Sequence, residues 1–186
     1  MRWFILFLLL PFTALADPVA YTLDRDRSLV GFSFDAGNDE IKGNMSVSSA
    51  DIVLDLDNLA RSTARVTLDT TSAVTEDSFA TGAMRGAQVL DTSTFPTITF
   101  EATNISGTFN DGRVEGLVTI KGVTRPITLS AQVFRQRGQD AGDNSKLSVL
   151  LSGTVDRHDF GADGFAQFVG PDIRLEVLTR ISRTGT

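Results

Sequence analysis

The stretch Leu117–Leu129, LVTIKGVTRPITL, decides the fold. It reads as the end of one strand, a turn, and the start of the next. Leading into it, Val114, Gly116, Val118 and Ile120 fall on one face. Arg113, Glu115, Thr119 and Lys121 fall on the other, with Leu117 the one apolar exception. A period of two marks a strand with one buried face. Lys121-Gly122-Val123-Thr124 is the predicted turn, because Gly122 accepts a positive φ without a Cβ clash. On the return strand Ile127, Leu129, Ala131 and Val133 point one way, and Thr128, Ser130 and Gln132 the other. Pro126 has no N–H to give, so it is expected at the start of the strand or on an edge. A lone hairpin cannot bury its apolar face, and the fold must supply more strands.

The same alternation recurs along the chain. Ala20–Leu23 is a short first strand, and Val30, Phe32 and Phe34 alternate with Gly31, Ser33 and Asp35. Ile41–Val47 and Ile52–Leu56 read as two weaker strands, the first entered through the turn Gly37-Asn38-Asp39. Further strands centre on Val66 and Leu68, on Ile98 and Phe100, on Leu147–Val155 and on Ile173–Ile181. About eight such strands joined by short turns indicate an antiparallel meander, either a closed barrel or a sandwich. Two segments break the pattern. Glu76–Leu90 opens with Thr75, Glu76 and Asp77, a helix N-terminus, but Gly82 and Gly86 limit it to one or two short turns. Asp156–Gly170 carries Phe160, Phe165 and Phe168 among several glycines. It is too apolar for an idle loop and too glycine-rich for a core strand.

The N-terminus has the layout of an export leader. A basic head at Arg2 precedes an apolar run over Phe4–Leu10, and Ala14-Leu15-Ala16 forms a small-residue cleavage site. Residues 1–16 are expected to be a cleaved signal peptide and residues 17–186 a single exported domain, giving a periplasmic protein. The apolar run is shorter than the ~20 residues that span a bilayer. The net charge is −6 and becomes more negative when Arg2 is lost, so neither nucleic acid nor an anionic membrane is an expected partner. There is no Cys, so the core alone must hold the domain together.

Catalytic patterns were sought and none emerged. His158 is the single histidine, and no nucleophile elbow, zinc, phosphate-loop or dinucleotide motif is present. No catalytic residue, metal ligand or cofactor is therefore assigned. Asp156, His158 and Asp159 read as a polar loop.

Four landmarks in order carry a resemblance: Tyr21-Thr22-Leu23-Asp24 with Ser28-Leu29-Val30-Gly31-Phe32; Val89-Leu90-Asp91 with Phe95-Pro96-Thr97-Ile98-Thr99-Phe100; the hairpin with Thr119-Ile120-Lys121-Gly122-Val123-Thr124; and Arg157-His158-Asp159-Phe160-Gly161. The chain resembles the YceI-like family of exported, polyisoprenoid-binding, lipocalin-like bacterial proteins. It departs from the family pattern at Arg27, where a His is usual, and at Phe95, where a Tyr is usual. The resemblance implies an all-β fold: an eight-stranded antiparallel barrel with one or two short helices, enclosing an apolar cavity for a long isoprenoid-type lipid. Physical reasoning agrees, since eight strands make a barrel that fills itself or holds one ligand.

The lipid tail is expected along Phe32, Phe34, Phe100, Ile120, Leu129, Val149 and Leu175, and the mouth near Phe79, Met84, Leu90, Phe160 and Phe165. Arg85 and Arg157, the cations of the two pattern-breaking segments, are the expected donors to a polar head group. The expected partner is an amphiphilic lipid, with a homodimer left open. Three other readings stand beside the carrier: an exported enzyme of unknown chemistry, a packed barrel without a ligand, and an outer-membrane barrel. The last would turn an apolar band with aromatic girdles outward, whereas this chain has no Trp beyond Trp3 and Tyr21 is its one tyrosine.

Overall fold

Alternation of apolar and polar residues folds the chain into nine antiparallel strands around one barrel. A computed structural model describes residues 17–185. The leader expected over residues 1–16 lies outside the described residues. The strands are β1 (Val19–Leu23), β2 (Leu29–Ala36), β3 (Asp39–Leu54), β4 (Thr63–Thr75), β5 (Thr97–Gly107), β6 (Gly112–Ile120), β7 (Val123–Arg135), β8 (Lys146–Asp156) and β9 (Asp172–Arg183). One helix, α1 (Ser78–Arg85), follows β4, and short 3-10 turns occupy Leu59–Arg61 and Arg157–Phe160. Strands β2 to β9 pair in a ring that closes through β2–β9 and β3–β4. Strand β1 pairs with β3 and β9 beyond the end of β2, so β1 and β2 share one slot of an eight-slot barrel.

The deciding hairpin forms as read, with a tighter turn. Ile120 pairs with Val123, so the loop is Lys121-Gly122 alone and Val123 and Thr124 belong to β7. Lys121 and Gly122 both have positive φ, 51° and 76°. That is the two-residue geometry whose twist matches a right-handed hairpin. Val114, Gly116 and Val118 are buried, and Arg113 and Leu117 are exposed. Pro126 lies inside β7 rather than at its start. It opposes Leu117 of β6, and the ladder to β8 begins only at Ser130, so this part of β7 has an unpaired edge.

The two strands expected over Ile41–Val47 and Ile52–Leu56 are one strand, β3, of 16 residues. A bulge causes the misreading. Opposite β4 the register slips between Val47 and Ser49. The inward set is therefore odd up to Val47 and even from Ala50 to Leu54. One extra residue on one strand of a pair reverses the faces beyond it.

Glycines let large inward side chains lie flat on neighbouring strands. A Cβ at Gly43 would collide with the Phe32 ring, and one at Gly116 with the Phe100 ring. At one end of the barrel, Tyr21, Leu147 and Ile181 pack into a plug with Leu23, Ile52, Leu54, Val133 and Val149 around them. The Tyr21 hydroxyl donates to the Asn144 carbonyl at 2.8 Å, which satisfies the polar tip of a buried aromatic. At the other end lie the β2–β3 and β6–β7 turns, α1, and the β8–β9 connection.

Candidate ligand cavity

Between the plug and the opposite end lies a cavity of about 460 Å³. All eight slots of the barrel line it, and its walls are apolar almost throughout. Phe32 and Phe34 of β2 face Ile98 and Phe100 of β5, with Leu129 and Leu175 between them around the ring. The polar side chains on its surface are Asp77, Arg157 and Thr179. Thr179 is not free to serve a ligand head, since its hydroxyl donates to the Val149 carbonyl at 3.3 Å.

The mouth is built by the two segments that break the strand pattern. Asp77 caps α1 by accepting from the Ala80 N–H at 2.7 Å. Capping fixes the short helix across the barrel end, with Ala80, Ala83 and Met84 turned to the cavity and Phe79 overhanging it. The second segment begins with the 3-10 turn Arg157–Phe160, which ends at Gly161 in the left-handed conformation (φ 65°). Phe160 is buried against the barrel wall. The chain then runs through Phe165 and Phe168 into β9.

Most of the residues expected at the ligand stand at the cavity, and three stand elsewhere or are otherwise engaged. Phe32, Phe34, Phe79, Met84, Leu90, Phe100, Ile120, Leu129, Phe160, Phe165 and Leu175 all line the cavity. Val149 does not. It faces inward one step too far down β8 and packs on the plug beside Leu147. Arg85 is outside as well: its Nε donates to the Ala73 carbonyl at 2.8 Å and pins α1 to β4. Arg157 lines the cavity but is spent on the backbone. Its Nε donates to Gly170 O (2.9 Å) and its Nη2 to Val169 O (3.0 Å). Its Nη1 donates to Gly164 O (2.7 Å) and to Ala162 O. Burial lowers its pKa, opposed by the carboxylates of Asp163 and Asp156; an arginine stays charged regardless. Its visible work is to hold the loop from Ala162 to Gly170.

Lys121, in the expected turn, also stands at the mouth. Lys121 reaches across from the β6–β7 turn, and its Nζ donates to the Gly161 carbonyl at 2.7 Å. Lys121, Gln88 and Asp163 share a small polar cleft that adjoins the cavity at Gly164 and Phe165. The two-residue turn is the signal for this, because it sets Lys121 at the tip of a hairpin.

A family description, the YceI-like domain, matches residues 21–181. The chain belongs to the YceI-like family. A UPF0312 protein of Vibrio vulnificus is 28% identical over 157 residues, covering 82% of this chain and 79% of its own. Among solved structures, Burkholderia cenocepacia BcnA superposes with a TM-score of 0.75 at 21% identity, covering 86% of this chain and all but 1% of its own, since 99% is matched. A polyisoprenoid binding domain from Saccharophagus degradans superposes with a TM-score of 0.64 at 14% identity, over 89% of this chain and 99% of that one. At these identities the solved structures establish the fold. Where this YceI-like chain departs from the family pattern, Phe95 lies against the turn: a Cβ on Gly122 would approach its ring to 3.0 Å. Arg27, the other departure, pairs with Asp24 at 3.8 Å on the surface.

Proposed function

We propose that this YceI-like protein is an exported, non-enzymatic carrier that holds one long apolar lipid of isoprenoid type inside the barrel, tail toward the plug and head at the mouth. The observation that carries the reading is the apolar cavity of about 460 Å³, walled by every slot of the barrel and opening between α1 and the Arg157–Gly170 segment. Its size is in the range of small-molecule sites, roughly 300–1,000 Å³. An empty apolar hole of that size is expensive. Its apolar walls forgo the contacts that a packed core would make there. A bound alkyl chain recovers those contacts and adds roughly 0.8 kcal/mol for each buried CH₂. The polyisoprenoid binding domain of Saccharophagus degradans, with the same fold, supports the same class of ligand.

The cleft of Lys121, Gln88 and Asp163 is the better candidate for the head group. Arg85 lies outside the cavity, and every nitrogen of the Arg157 guanidinium donates to a backbone carbonyl. The Lys121 ammonium has three N–H donors, with one on Gly161 O. Export through a signal peptide ending at Ala16 places the carrier in the periplasm, and N-terminal sequencing of the mature protein at Asp17 checks that step.

The test of the carrier reading is extraction of the purified protein with organic solvent, followed by mass spectrometry. A long-chain lipid in near-equimolar yield is expected. A lipid-free extract, together with no binding of added isoprenoid alcohols at micromolar concentration, would overturn the reading and leave a packed barrel.

A further inference from the structure

We propose that the open end of the barrel docks on the surface of a lipid bilayer through Phe79, Phe165 and Phe168, so that the ligand passes between membrane and cavity without crossing water. The proposal rests on the carrier reading for its purpose, but docking itself is a separate, measurable property.

Three observations lead to it. First, the aromatic side chains are exposed and yet belong to the cavity surface. Phe79 is 78% exposed, Phe168 70% and Phe165 40%, and all three line the cavity mouth. The apolar surface therefore runs unbroken from the barrel interior to the outside. Isolated exposed apolar residues need no explanation, but a continuous patch at the rim of an apolar cavity marks an interaction site.

Second, the exposure is built in. Phe165 is held at φ 59°, a conformation that aromatic residues rarely adopt. Its carbonyl accepts from the N–H groups of Phe168 (2.8 Å) and Val169 (2.9 Å), closing a tight turn that presents both rings. The Arg157 guanidinium, only 5% exposed, grips the carbonyls of Ala162, Gly164, Val169 and Gly170 from below. The turn is stitched to β2 by Gly37 N–H to Phe168 O (2.9 Å) and Gly170 N–H to Asp35 O (3.0 Å). A positive φ at Phe165 and a buried cation spent on one loop fix the turn that carries the two rings.

Third, the chemistry selects a bilayer as the occupant. The cavity's apolar walls suit a ligand whose reservoir is hydrocarbon. Rings at a rim that enter the headgroup boundary carry the apolar path into that reservoir. The charges at the rim are mixed, with Asp77 and Asp163 against Lys121, and the chain is acidic overall. The rim has no basic cluster to draw it to anionic lipid, so binding should favour zwitterionic vesicles and respond little to salt.

The experiment is sedimentation of the purified full-length mature protein with phosphatidylcholine vesicles. The wild type should pellet with the vesicles at low and at high salt. Phe79→Ser combined with Phe168→Ser should reduce the bound fraction about tenfold or more, since interfacial binding scales with the apolar area inserted. Circular dichroism establishes that the double variant is folded, and Phe134→Ser, at an exposed ring on β7 beside the closed end, should bind vesicles as the wild type does. No pelleting of the wild type, or equal pelleting of the double variant, would overturn docking. So would a wild-type dimer in size exclusion that the double variant dissociates, because the rim would then belong to a second copy. The two readings fail separately. Lipid extracted from a protein that ignores vesicles removes docking alone, and vesicle binding by a protein that carries no lipid removes the carrier alone.

Discussion

The two ends of the barrel are stabilised by different physics. The closed end is a packed plug: Leu147 is 0% exposed, and Ile181 and Tyr21 pack beside it. The open end adds hydrogen bonds and backbone strain to the packing of Ala73, Met84 and Phe160. The three non-glycine residues with positive φ among those described, Asp91, Lys121 and Phe165, all lie in connections at that end. Three of the four exposed phenylalanines, Phe79, Phe165 and Phe168, are there as well; the fourth, Phe134, lies on β7 at the closed end. Packing alone serves at the closed end, whereas the mouth also needs fixed loop geometry to hold the cavity open.

The comparison breaks most visibly under truncation. Leu147→Ala should cost about 2–5 kcal/mol, the range for removing a fully buried leucine whose site cannot collapse. Phe168→Ser at the mouth should change stability by no more than about 0.5 kcal/mol, as surface substitutions do. Denaturant midpoints at constant slope measure both. Equal effects would mean that the mouth carries core packing after all.

The next effect is smaller and sits at the open end. Gly122→Val places a β-branched residue at φ 76° and pushes a Cβ toward the Phe95 ring. The expected destabilisation is about 1–2 kcal/mol for the left-handed conformation alone. An unchanged melting midpoint would show that the hairpin can relax at its tip, and that strain at this end is incidental.

The barrel strands and the aromatic mouth were legible in the sequence and the plug was not, for reasons that particular residues show. Period-two patterning found the strands of the barrel wall, because inward Phe32, Phe100 and Leu175 alternate cleanly with polar neighbours. It divided β3 because the bulge at Ser48 and Ser49 reverses the inward parity, which no pattern of fixed period can follow. It named Val149 as cavity wall because alternation gives a face but not a depth, and the plug begins one inward residue below Leu151. It found the aromatic mouth from composition, since a glycine-rich loop with three Phe has no strand core to join. It assigned Arg157 to a head group for a related reason, where the structure gives its guanidinium to loop carbonyls. Charge reads as surface, but an arginine near several free carbonyls is more use to the loop than to a ligand. Only the fold brings Ala162, Gly164, Val169 and Gly170 around one guanidinium.

The smallest predicted effect concerns how the open end is fastened. Arg174 of β9 makes a two-pronged contact with Asp35 of β2 (2.9 and 2.7 Å) and a third to Glu40 of β3 (3.0 Å). The hydrogen bond from Arg174 holds the Asp35 carboxyl below its usual pKa. Glu40 is lowered first by the Ser33 hydroxyl, at 2.8 Å, and then by Arg174. A carboxylate depressed in the folded state adds stability above its unfolded pKa, about 4 for Asp and Glu. That contribution disappears as pH falls through the lower folded value. Arg174→Gln should therefore return Asp35 and Glu40 toward ordinary titration, followed by carboxyl carbon NMR. The wild-type and variant melting points should differ slightly at pH 7 and converge as the solution is made acidic. Because the groups are exposed, added salt should shrink the difference at pH 7 too. The same salt should leave the cost of Leu147→Ala untouched, since the plug contains no ion pair among its packed residues. A salt-insensitive Arg174 effect would mean that the guanidinium acts by packing across the three strands, and the two ends would then differ in degree and not in kind.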